Sequence, residues 1–112
     1  MALERGKLAP VTVVSSGATG TIITVASSKK VYIKSIMLFS PSGSTATAEV
    51  FVVPNGGTAA NATKMFKIAL AADETVLLEP TYPIVLDTDG DTFQVTATSQ
   101  DVNVLITGDK EA

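Results

Sequence analysis

Hydrophobic and polar residues alternate with a period of two along almost the whole chain, and Gly, Pro, Ser and Asp recur at short intervals between the alternating runs. A period of two places successive side chains on opposite faces of an extended strand. Short strands broken this often by turn residues belong to a sandwich or barrel. The pattern predicts strands over 11–14, 21–26, 29–39, 45–53, 64–71, 76–78, 84–86, 92–98 and 102–107. Residues 64–71 also fit one or two amphipathic helical turns, but Phe66, Ile68 and Leu70 alternate as a strand would. The expected fold is all-β: an eight- to nine-stranded antiparallel β-sandwich, jelly-roll-like, over residues 11–112 after an N-terminal arm of residues 1–10.

The longest strand carries the most information. Tyr32, Ile36 and Leu38 share one face, broken by Lys34, while Val31, Ile33, Met37 and Phe39 share the other, broken by Ser35. A strand apolar on both faces is normally covered on both. One cover is the opposite sheet. The other would be another chain or the N-terminal arm; Val31, Ile33, Met37 and Phe39 are expected to face a neighbouring chain, which predicts a homo-oligomer.

Composition points the same way. Of the 112 residues 46% are hydrophobic and only 17% charged, well below the roughly 25% charged of an average soluble protein. Such a chain must solvate itself with Thr and Ser, or have part of its outside covered by a partner. The net charge of −3 argues against an electrostatic grip on nucleic acid. Charge is uneven along the chain, +5 over residues 1–67 and −8 over 68–112, so a basic patch on one copy could meet an acidic patch on the next. The N-terminal residues lack the apolar core of a signal peptide, and no apolar run approaches the ~18 residues of a membrane helix.

Chemistry is scarce. The chain has no His and no Cys, which removes imidazole-based triads, thiolate nucleophiles and zinc sites with N or S ligands. Glu74, Glu79, Asp87, Asp89 and Asp91 could in principle act as acids and bases, but each stands among turn residues. Asp87-Thr88-Asp89-Gly90-Asp91 resembles the front of a calcium loop. The closing Glu of such a loop would fall at Thr98, and no helices are predicted on either side. A tight turn with Asp accepting backbone N–H groups is the expectation. With no Trp and few aromatics, a sugar- or receptor-binding surface is a weaker reading. No enzyme activity and no cofactor is expected.

Several segments carry a family resemblance. The strand Lys30-Val31-Tyr32-Ile33-Lys34-Ser35-Ile36-Met37-Leu38, the loop Val53-Pro54-Asn55-Gly56-Gly57, the run Ile84-Val85-Leu86-Asp87-Thr88-Asp89-Gly90-Asp91, the strand Phe93-Gln94-Val95-Thr96-Ala97 and the end at Thr107-Gly108 resemble small bacteriophage virion proteins. That resemblance implies a β-sandwich attached to the particle, as a head decoration or cement protein, often trimeric, or as a neck, tail or fibre component. It implies the major capsid protein or another virion protein as partner, and a virion location after assembly in the host cytoplasm. It carries no catalytic residues. The first nineteen residues lie outside it. Met1, Leu3, Arg5 and Lys7 of the arm mix apolar and charged groups around Gly6, and are expected to dock on the capsid protein or a neighbouring copy, the alternative being an arm tucked back over its own sandwich.

Overall fold

The alternating runs become ten strands in the computed structural model, which describes residues 3–26 and 29–111. They are β1 (Leu3–Lys7), β2 (Thr12–Val14), β3 (Thr19–Thr24), β4 (Val31–Phe39), β5 (Ala46–Val53), β6 (Lys64–Leu70), β7 (Thr75–Leu78), β8 (Ile84–Leu86), β9 (Thr92–Thr98) and β10 (Val102–Glu111). Every strand pairing is antiparallel.

Two sheets result. The first is built on the long central pair β10·β4. On one side β10 is flanked by β2 over its first half and β1 over its second; on the other, β4 is flanked by β8 over its first half and β7 over its second. The second sheet runs β3-β9-β5-β6. First strands thus pair with the last, the third with the ninth, and the fourth lies between the tenth and seventh. This is the order produced by rolling two Greek keys into a jelly roll.

The core lies between the sheets. Phe93, Val95 and Ala97 of β9 face Ile33, Ile36 and Leu38 of β4 and Val102, Val104 and Ile106 of β10, all fully buried. Each such aliphatic or aromatic side chain contributes about 1.5–3 kcal/mol on burial. The stretch that fitted both strand and helix is strand β6, with Phe66, Ile68 and Leu70 packed on this core.

β4 departs from strict alternation, and this corrects the sequence-based assignment of its faces. Ser35 pairs with Thr107, but the next residue of β10, Gly108, pairs with Ile33. Lys34 is the extra residue of a β-bulge, and it reverses the phase of the strand. Val31 and Ile33 before the bulge and Ile36 and Leu38 after it therefore share the inner face. Val31 and Ile33 belong to the chain's own core and are not available to a neighbour. Only Met37 and Phe39 of the four proposed interface residues point outward.

Gly108 makes the bulge possible. A Cβ at this position would sit 1.9 Å from the carbonyl oxygen of Tyr32, a separation no side chain can tolerate.

Candidate docking face

The registers across the first sheet bring its outward residues into rows. Arg5, Asp109 and Tyr32 lie side by side, and Lys7, Thr107 and Ser35 form the next row. Below them come Leu105, Met37 and Leu77, and then Val13, Asn103, Phe39 and Thr75. Four of the arm and β4 residues singled out from sequence, Arg5, Lys7, Met37 and Phe39, thus occupy one sheet face, with Leu3 opposite Glu111 at its upper end. Met1 lies outside the described residues.

The upper part of this face is polar and internally satisfied. Asp109 is almost fully buried, yet it accepts from Arg5 Nε at 3.1 Å and from Lys34 Nζ at 2.7 Å. The hydrogen bond from Lys34, and then that from Arg5, holds its carboxyl below the ordinary value of 3.8, against the opposing effect of burial. This trio ties β1, β10 and β4 together, and the bulge residue Lys34 is the group that reaches across. Ser35 and Thr107 join their hydroxyls directly beneath. The described part of the arm is therefore a strand of the chain's own sheet. All five of its residues nevertheless remain exposed.

The lower part is apolar and bare. Val11 is 60% exposed, Val13 57%, Leu77 50% and Met37 37%. Phe39 and Leu105 are half-buried between them, and with Val11, Met37, Thr75 and Asn103 they line a shallow groove. Among these apolar groups the Oδ1 of Asn103 is buried without a hydrogen-bond partner. An unpaired buried acceptor costs about 1–3 kcal/mol, so Asn103 is an unfavourable position within this face.

Sequence reasoning found Met37 and Phe39 but missed Val11, Val13, Leu77, Leu105 and Asn103. These five come from three segments, at β2, β7 and β10, and only the pairing register places them beside β4.

Two of the acidic residues weighed for chemistry, Asp91 and Glu74, accept backbone N–H groups in their own turns, and Asp101 does the same elsewhere. Asp91 accepts from Thr88 N through Oδ2 and from Asn55 N through Oδ1, at 3.3 and 3.2 Å, which ties the 87–91 turn to the loop after β5. Glu74 accepts from Ala71 N at 2.8 Å across its own turn. Asp101 accepts from Ser16 N at 2.8 Å. Among the described residues, no three His, Cys, Asp or Glu side chains gather where they could share a metal ion. Among the described residues no helix is long and apolar enough to cross a membrane.

No protein-family model matches the chain, and no curated protein matches it by sequence. Among solved structures, it aligns with a chain from the structure of infectious bursal disease virus Gt strain at a TM-score of 0.42 and 13% identity, covering 97% of this chain and 30% of that one. The corresponding figures for the Gx strain are 0.40, 16%, 97% and 31%. The chain thus spans less than a third of the length of either, and likeness of this degree carries no functional argument.

Proposed function

We propose that the chain is a bacteriophage virion structural protein, most specifically a head decoration (cement) protein that works by docking and without catalysis. The observation that carries this reading is the bare apolar half of the first sheet's outer face. Val11, Val13, Met37 and Leu77 stand exposed there around the half-buried Phe39 and Leu105. Contiguous apolar surface of this kind on a small domain marks a contact with another protein. The sequence resemblance to phage virion proteins supplies the setting, and a jelly roll is a fold that builds such particles.

On this reading the major capsid protein is the partner, and the sandwich stabilises the shell by adding contacts between its subunits. Cryo-electron microscopy of intact particles containing the chain tests it. Density for the sandwich on the head shell is expected. Density confined to the neck, tail or fibres would reassign the protein within the virion, and absence from purified particles would overturn the reading.

A further inference from the structure

We propose that Asn55 is a self-modifying site: it loses its side-chain amide to attack by the backbone nitrogen of Gly56, and the carboxylate that results releases the loop after β5 from the 87–91 turn. The site lies at one end of the second sheet, away from the first sheet's outer face, and does not depend on the docking reading.

Of the chain's Asn residues, at positions 55, 61 and 103, only Asn55 precedes a Gly. Pro54-Asn55-Gly56-Gly57 closes as a type II turn, with Gly57 N donating to Pro54 O at 2.8 Å and Gly56 at φ +80°. Asn55 is exposed at its corner. Among the described residues the N–H of Gly56 makes no hydrogen bond, and a Cβ at Gly56 would meet nothing within 4 Å. That nitrogen can approach Asn55 Cγ with neither a bond to break nor a side chain of its own in the way. Asn61 is followed by Ala62, whose methyl group crowds the same approach. Asn103 is followed by Val104, a β-branched residue fully buried in β10.

The step needs only water. Gly56 N bonds to Asn55 Cγ, the Cγ–Nδ2 bond breaks, and the Gly56 proton passes through water to the departing nitrogen, which leaves as ammonia. Water then opens the five-membered imide. Cleavage of the new N–Cγ bond gives aspartate; cleavage between Gly56 N and the carbonyl carbon of residue 55 gives isoaspartate, with a methylene added to the main chain. Nothing is oxidised or reduced.

The new charge falls in an acidic place. The Asn55 side chain lies against Gly90 so closely that a Cβ there would stand 2.5 Å from its Cγ and 2.6 Å from its Oδ1. Asp89 and Asp91 flank that glycine, and Asp91 Oδ1 holds Asn55 N at 3.2 Å. A neutral carboxamide fits between them, whereas a carboxylate repels both, by an amount that salt screens. The contact that joins the loop to the turn is thereby weakened, and with it the cover that Gly57 places on Val53. The conversion runs in one direction, so the site works as a slow switch.

Peptide mapping by mass spectrometry of the full chain, aged in warm, mildly alkaline buffer, tests the site. A gain of about 1 Da, partly as isoaspartate, is expected at Asn55, roughly tenfold or more ahead of Asn61 and Asn103. Asn55→Gln should remove the gain at that position. Asn55→Asp carries the charge from the outset. It should melt about 2–4 °C below the native chain in low salt, with faster hydrogen exchange at the residue 55 amide, and the gap should close as salt rises. Conversion at Asn61 or Asn103 that keeps pace with Asn55 would overturn the site. Native melting and exchange in Asn55→Asp would overturn the release, and a melting gap indifferent to salt would overturn charge as its cause.

Discussion

The two sheets treat their outer faces differently, and the contrast assigns work to one of them. The second sheet is clad in Thr: Thr47 on β5, Thr92, Thr96 and Thr98 on β9, and Thr19, Thr21 and Thr24 on β3 all fall on its outward side. Thr19 and Thr96 pair their hydroxyls at 2.6 Å, and Gln94 donates to Thr92 at 2.9 Å. Met65 on β6 stands 59% exposed, but two other large apolar groups of that face are covered by the chain itself. Phe51 and Val53 are only 4% and 1% exposed although they lie outside the central core. Lys64, held by Glu49 at 2.5 Å, reaches over the Phe51 ring, and the loop after β5 comes down on Val53 at Gly57. The first sheet has no such cladding over its lower rows. The chain thus covers the outer patch at Phe51 and Val53 and leaves the first sheet's lower rows bare, the contrast on which the proposed docking rests.

The largest expected effect comes from the bulge, because it sets which side of β4 is bare. Gly108→Val should destabilise the chain by about 4 kcal/mol or more, through a backbone clash that no rotamer relieves. Urea unfolding followed by circular dichroism measures this. A loss under about 1 kcal/mol would mean the β10·β4 ladder opens there easily, and the phase of β4 would no longer be anchored by Gly108.

Next in size is the covered patch. Phe51→Ala should cost about 3 kcal/mol, the amount usual for an aromatic removed from a packed interior. If the second sheet's outer patch were surface in the way the first sheet's is, the same change would cost a few tenths. Thermal and urea unfolding of this one variant therefore break or keep the contrast between the faces.

The upper half of the first face responds to pH. Asp109 has a folded-state pKa below the ordinary carboxylate value, so its ion pairs stabilise the fold fully above the unfolded-state pKa. The contribution is lost as pH falls through the lower, folded-state value. The stability advantage of the native chain over Asp109→Asn should hold at neutral pH and shrink as pH drops below 3.8. Paired unfolding curves across that range check the sign; a gap that widens in acid would place the source of the shift elsewhere.

How legible this face was in the sequence depends on the kind of signal each part leaves. Strands were visible wherever one side meets the core, as with Phe93-Val95-Ala97 and Val102-Val104-Ile106, because burial on one side enforces alternation. β1 was not, since all five of its side chains are exposed and no apolar rhythm marks it. β4 carries a usable sign of its bulge. Both of its apolar faces are interrupted at the same point, at Lys34 on one and Ser35 on the other. Two faces broken together is what a one-residue bulge produces when a single apolar face changes phase. Asn103 had no local sign at all. Its isolation follows from the neighbours that the register puts beside it, Val13 on β2 and Phe39 on β4, about 90 and 64 positions away in the chain.

The smallest expected effect is the most discriminating. Leu77 is half exposed on β7, where its neighbour across the ladder is Met37. If the lower rows exist to be covered by a partner, their side chains contribute little to the isolated fold. Leu77→Ser in dilute solution should then change unfolding free energy by no more than about 0.5 kcal/mol, as for an ordinary surface site. The same substitution at a site belonging to the core would cost several times that. The measurement belongs at a concentration where the chain is monomeric, since any association linked to folding would add its own stabilisation. A small loss in dilute solution that grows with protein concentration is the signature of a face that is stable bare and stronger covered. A loss above about 1.5 kcal/mol at every concentration would make Leu77 part of the fold's own packing, and the contrast between the two outer faces would fail at that residue.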